Sequence, residues 1–134
     1  MAKQAALLLT LLLPVGCGPR THQADPVVTF VETNSQGRKI RVLKLALTSV
    51  PAGTCTAGDW KMARVLQDES GYTRKPAYTV RSGALEVMLI TSFCDRHDSY
   101  IGTVSGNSIH GDHVIYGWGT SKTIGTFSGS YSHQ

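Results

Sequence analysis

The stretch IGTVSGNSIHGDHVIYGWGTSKTIGTFSG, residues 101–129, decides the fold class. Ile101-Gly102-Thr103-Val104-Ser105-Gly106 recurs as Ile124-Gly125-Thr126-Phe127-Ser128-Gly129, and Ser108 to Trp118 reads as a strand between the copies. Of 14 glycines in the chain, Gly102, Gly106, Gly111, Gly117, Gly119, Gly125 and Gly129 fall in this stretch. Glycine inside strands marks bends, bulges or close backbone approach, and strands that curl into a small barrel need such points. Gly106-Asn107 suits a two-residue hairpin turn. Two copies are too few for a solenoid, so they read as consecutive parts of a β-meander.

Working outward, Ala77–Arg81 and Ala84–Phe93 flank Ser82-Gly83 as a hairpin. Leu85, Val87, Leu89 and Phe93 alternate onto one face, with Glu86 and Ser92 on the other. Pro26–Thr33 and Arg38–Thr48 read as strands around the turn Asn34-Ser35-Gln36-Gly37, with Leu43, Leu45 and Leu47 on one face. Residues 49–58 read as a loop, and Asp95-Arg96-His97-Asp98 as a polar loop. Asp59–Gln67 is read as a strand starting at Trp60, with a short helix as the alternative. The sum predicts an all-β domain, a small antiparallel up-and-down barrel of about eight strands. An open sheet or β-sandwich is the alternative.

The first residues have a different character. Lys3 supplies a positive start, Ala5–Leu13 is an apolar run too short to span a bilayer, and Pro14-Val15-Gly16-Cys17 closes it. The small Gly16 before a cysteine resembles the lipobox of bacterial lipoproteins. Pro14 stands where that family usually has Leu. The resemblance implies a signal peptide over 1–16, cleavage before Cys17, and acyl chains on Cys17 that anchor the protein in a membrane. It further implies a tether over 17–25 and a single domain over 26–134. Gly18 in place of an inner-membrane retention Asp points to the outer membrane, facing the periplasm. A secretory signal cut near Ala24, giving a soluble secreted or periplasmic protein, is the alternative. With Cys17 assigned to lipid, Cys55 and Cys94 remain, and in an oxidising compartment they are expected to pair. Two buried free thiols are the other reading.

Composition limits the partners. Hydrophobic residues at 41% and charged residues at 16% argue for a folded domain rather than a disordered tail. The net charge of +4 is spread along the chain, and no basic stripe with interleaved aromatics suggests nucleic acid. The one cluster, Arg38-Lys39-Ile40-Arg41, reads as a solvated strand face, or else as a meeting point for a phosphate or anionic lipid head.

Candidate chemistry is sparse. His97, His110 and His113 lie near Asp95, Asp98 and Asp112. Residues three apart on a strand face opposite ways, so these histidines are read as solvent-exposed near a hairpin, unless a bulge at Gly111 brings two together on zinc. No Gly-x-Ser-x-Gly elbow, Cys-x-x-Cys pair or glycine-rich strand-to-helix loop occurs. No catalytic residue, metal or cofactor is therefore expected. Among the aromatics, Tyr116 and Trp118 share a strand face with Val114 and would line a core or cavity if it points inward, or make a binding patch if it points outward. Gly58-Asp59-Trp60 resembles the Gly-x-Trp of lipocalin-like barrels, a resemblance of three residues that places Trp60 on the first barrel strand there.

The combined expectation is a membrane-anchored lipoprotein without catalytic activity. It would bind a small apolar ligand or envelope component through Trp60, Tyr116 and Trp118. The alternatives are a protein-binding lipoprotein, such as a cell-wall-enzyme inhibitor or toxin immunity protein, and a metal-dependent hydrolase.

Overall fold

The computed structural model describes residues 24–132; the expected signal segment 1–16 and Cys17 lie outside the described residues. Eight strands follow in order: β1 Val27–Thr33, β2 Lys39–Pro51, β3 Lys61–Asp68, β4 Ala77–Arg81, β5 Ala84–Met88, β6 Arg96–Ser105, β7 Ser108–Gly117 and β8 Thr120–Ser132. Each pairs antiparallel with the next. β8 then returns to β1, from Val27 opposite Ser132 to Thr33 opposite Thr126, and closes the barrel. Closure gives the first and last strands a partner on both sides, which an open sheet or sandwich does not.

The two sequence copies lie on β6 and β8, both paired with β7. Gly102 stands opposite Gly111, Gly111 opposite Phe127, and Gly129 opposite Ile109. A Cβ at Gly111 would sit 2.0 Å from the Ile101 carbonyl oxygen and 2.5 Å from the Gly102 Cα. The glycines thus let β6 and β7 approach more closely than side chains would allow. Two hairpin turns follow the expected chemistry, and Trp118-Gly119 adds one where strand is expected at Trp118. Ser82-Gly83 and Trp118-Gly119 have φ above zero at both residues, as a type I′ turn requires, and Gly106 has φ +57° at the head of its turn.

Several boundaries differ from the expected ones. Arg96-His97-Asp98 is not a loop but the start of β6, because Asp98 turns inward to a buried partner on β7. β5 ends at Met88 instead of Phe93, and β7 ends at Gly117, leaving Trp118 in the turn.

Val28, Phe30, Leu43, Leu45, Leu85, Val87, Tyr100, Ile109 and Phe127 fill the interior. The rings of Phe30, Tyr100 and Phe127 pack mutually with centroids 4.8–5.3 Å apart, each such pair adding about 0.5–1.5 kcal/mol to simple burial. An eight-stranded barrel is just wide enough for side chains to fill it, and these do.

The up-and-down order sorts the connections by end. The β1–β2, β3–β4, β5–β6 and β7–β8 connections share one end, here the rim. The described chain begins at the other end, beside the β8 terminus, where the Leu47 amide donates to the Pro26 carbonyl at 2.8 Å. The 52–60 connection runs from that end over the outer face of β4–β6. Trp60 packs on Ala77 and Met88 there, and a Cys55–Cys94 disulfide ties the connection to the rim, as expected from the cysteine count. Closing a loop of 39 residues this way stabilises by up to about 4 kcal/mol in the chain-entropy account.

Candidate functional site

Beneath the rim the barrel interior changes from apolar to charged. Glu32 on β1, Arg41 on β2, Asp68 at the end of β3, Asp98 on β6 and His113 on β7 all turn inward. His113 is 5% exposed. Its Nδ1 lies 2.6 Å from Glu32 Oε1, and its Nε2 meets Asp98 Oδ1. A neutral imidazole carries one N–H only, so one nitrogen would then point its lone pair at a carboxylate. The arrangement therefore selects the imidazolium, with both nitrogens donating. Burial opposes that charge, but the bonds to Asp98 and Glu32 outweigh it and push the His113 pKa up to about 9.

The surrounding groups complete the network. The Tyr100 hydroxyl donates to Glu32 Oε2 at 2.7 Å, and the Tyr72 hydroxyl to Asp98 Oδ2 at 2.5 Å. Burial would raise both carboxyls, yet His113 together with the tyrosines holds Glu32 and Asp98 below their ordinary values. Burial and the bond to Asp98 push Tyr72 up to about 12. Alongside, Arg41 donates from Nη2 to Asp68 Oδ2 at 3.1 Å and to Thr73 Oγ1 at 2.5 Å. Asp68 also accepts from the Ser70 hydroxyl and the Thr73 amide, which against the pull of burial hold it well below the usual carboxylate range. With both ring nitrogens occupied, His113 has none left for a substrate. The cluster is a polar floor that closes the interior below the rim.

Reading the three histidines as solvent-exposed fails for His113. The register shift between β7 and β8 falls at His113/Val114 rather than at Gly111, and its extra residue is Ile124 on β8, while β7 pairs with β6 without interruption. His113 therefore keeps the inward face of Ile109, while His110 points out and is exposed. His97 lies on the outer face of β6, its Nε2 3.5 Å from Thr56 Oγ1. The three do not converge, and among the described residues no group of three or more His, Cys, Asp or Glu is arranged to hold a metal ion. The sequence did carry a signal for the floor. Glu32 continues the alternation of Val28 and Phe30, and His113 that of Ile109.

Above the floor the mouth of the barrel is open. Asp98 pairs with Ile115 and Ile115 with Lys122, so these three share the inner face, with Arg96 two residues before Asp98. Arg96, Ile115 and Lys122, together with Phe93, Asp95, Tyr116 and Trp118, line a cleft of about 610 Å³. Trp118 forms the tip of the β7–β8 hairpin. It is 89% exposed and holds φ +49°, a conformation costing a bulky residue about 1–2 kcal/mol. Phe93, across the cleft, is 57% exposed. Of the three expected ligand contacts, Tyr116 and Trp118 are brought together at this cleft. Trp60 is not with them: it is 3% exposed on the outer face under the 52–60 connection.

Comparison with family models, curated proteins and solved structures finds no match for this chain. Its chemistry is therefore read from its own geometry, which joins a filled, charge-sealed interior to an open aromatic and basic mouth.

Proposed function

We propose that this chain is an exported envelope protein, anchored through acylated Cys17 and facing the periplasm from the outer membrane. Its role is non-catalytic binding, and its ligand is an envelope component taken at the mouth of the barrel. The observation that carries this reading is Trp118. A tryptophan almost wholly in water, in a strained turn, beside an exposed Phe93, leaves apolar surface that a ligand would cover. The packed interior supports a ligand at the mouth rather than one enclosed in the barrel. The start of the described chain at the opposite end supports a mouth directed away from the anchor.

A second reading, a protein partner, is favoured by composition. Trp118, Tyr72 and Arg96 are the residue types that dominate protein–protein hot spots.

Two measurements test the proposal. Mass spectrometry of the mature amino terminus is expected to find Cys17 as the first residue, with diacylglycerol on its sulfur and an acyl group on its amine; a free amine further along removes the anchor and leaves export. Trp118→Ala is expected to reduce capture of the bound component from envelope extracts at least about tenfold. The melting temperature should hold, because so exposed a side chain adds little to stability. Capture unaffected by the substitution would move the site elsewhere.

A further inference from the structure

Resting on that reading of the mouth, the geometry points to a ligand class: we propose that the cleft binds a single-chain amphiphile with an anionic head. Two features of its wall are complementary to the two parts of such a molecule. Phe93, Ile115, Tyr116 and Trp118 offer an apolar surface. Arg96 on β6 and Lys122 on β8 flank the end of β7, one on each side. Neither cation belongs to an ion pair among the described residues, where the pairs involve Arg41 and His113 only.

The rest of the rim supports an anion. Arg38, Lys39, Arg74 and Lys75 lie in or beside the connections at the same end, against the acid Glu69, while Asp95 in the cleft wall offsets one of its two cations and leaves the wall net positive. All four are exposed, and an excess of one sign around a concave opening attracts the opposite charge. The floor sets the limit of entry. Asp98 and Glu32 are already satisfied by His113 and the tyrosines, and they present no apolar path into the interior. The head would therefore meet Arg96 and Lys122 at the mouth, and the chain would lie between Phe93 and Trp118. A volume of about 610 Å³ is of the size used for small-molecule ligands. A concave cleft suits a chain and a head better than it suits the broad face of a protein partner. The head is a carboxylate or a phosphate monoester, which the cations would accept alike.

The test uses the full chain carrying Cys17→Ser, so that no acyl chain of its own competes. Trp118 fluorescence is followed as dodecanoate, dodecyl phosphate or zwitterionic dodecylphosphocholine is added below its micellar concentration. The two anionic probes are expected to shift the emission saturably to the blue at one per chain, and to bind at least about tenfold more tightly than the zwitterion. The stronger of the two identifies the head. Replacing Arg96 and Lys122 together by Gln should erase the preference while leaving the melting temperature unchanged. Equal affinity for the zwitterion, a preference that survives the double substitution, or no saturable shift would each overturn the proposal. If it fails while envelope capture still depends on Trp118, the ligand class is wrong and an acidic protein partner takes its place. If capture also ignores Trp118, the reading of the mouth falls with it.

Discussion

His113→Ala is expected to lower the unfolding free energy by about 3–5 kcal/mol, the cost of breaking a buried charge pair by removing one partner. The substitution leaves Glu32 and Asp98 facing each other in a closed interior, each having lost its bond to the imidazolium. It also opens space beside Tyr100, whose ring packs edge-on against His113 with centroids 4.9 Å apart. Urea denaturation at pH 6 measures the loss.

The pH dependence separates this effect from simple loss of packing. The folded His113 pKa is raised from 6.5 to about 9, so folding takes up a proton between these values. The resulting stability, on the order of 3 kcal/mol, is complete below pH 6.5 and disappears as the pH rises through about 9. Glu32 and Asp98 behave oppositely. Their folded values lie below 4.5 and 3.8, so their contribution is present above those values and is lost as the pH falls. The native protein should therefore be most stable between about pH 4.5 and 6.5, declining on both sides. In His113→Ala the alkaline decline should flatten. The acid decline should begin at higher pH, because two facing carboxyls hold a proton more tightly than two bonded to a cation. An alkaline slope identical in the two proteins would show that His113 is not the group responsible.

Gly111→Ala should be nearly as damaging, although it adds one methyl group. That Cβ would stand 2.0 Å from the Ile101 carbonyl oxygen and 2.5 Å from the Gly102 Cα. Both obstacles are backbone, so no side chain can rotate away and β6 and β7 must part. Parting them disturbs the ladder that runs from Arg96–Gly117 to Ser105–Ser108. A loss of about 3 kcal/mol or more is expected, at the upper end for overpacking. It should be read as a lower urea midpoint with an unchanged slope. Gly53→Ala is the control. A Cβ there meets nothing within 4 Å, and the stability should stay within about 0.5 kcal/mol. Equal behaviour of the two variants would remove close approach as the reason for glycine at 111.

The strands were legible to different degrees for identifiable reasons. Leu43, Leu45 and Leu47, then Leu85 and Val87, alternate clearly, and the turns Ser82-Gly83 and Gly106-Asn107 carry the residues that their backbone demands. Arg96–Asp98 was obscured because four consecutive polar residues look like a loop until Asp98 is given a partner. Two of the three aromatic residues expected together are found at one cleft. Tyr116 and Trp118 line one cleft, although Trp118 stands in the turn after β7 and not on the strand face expected of it, and Trp60 belongs to the outer layer held by the Cys55–Cys94 bridge. Phe93 comes from the β5–β6 connection held by that bridge and Arg96 begins β6, and nothing local to them announced a site.

What the chain determines by itself is therefore local. Side-chain alternation, glycine positions and turn chemistry act between neighbours in sequence, and they suffice for an all-β meander and for two cysteines able to pair. What only the tertiary structure decided is which distant residues meet. Glu32 and His113 are 81 positions apart, and neither has a reason to be charged and buried until β8 pairs with β1 and brings β7 within reach of it. The burial of a charge depends on the partner that satisfies it. That partner is supplied by closure of the barrel, and the same closure sets Trp118, Arg96 and Lys122 around one mouth.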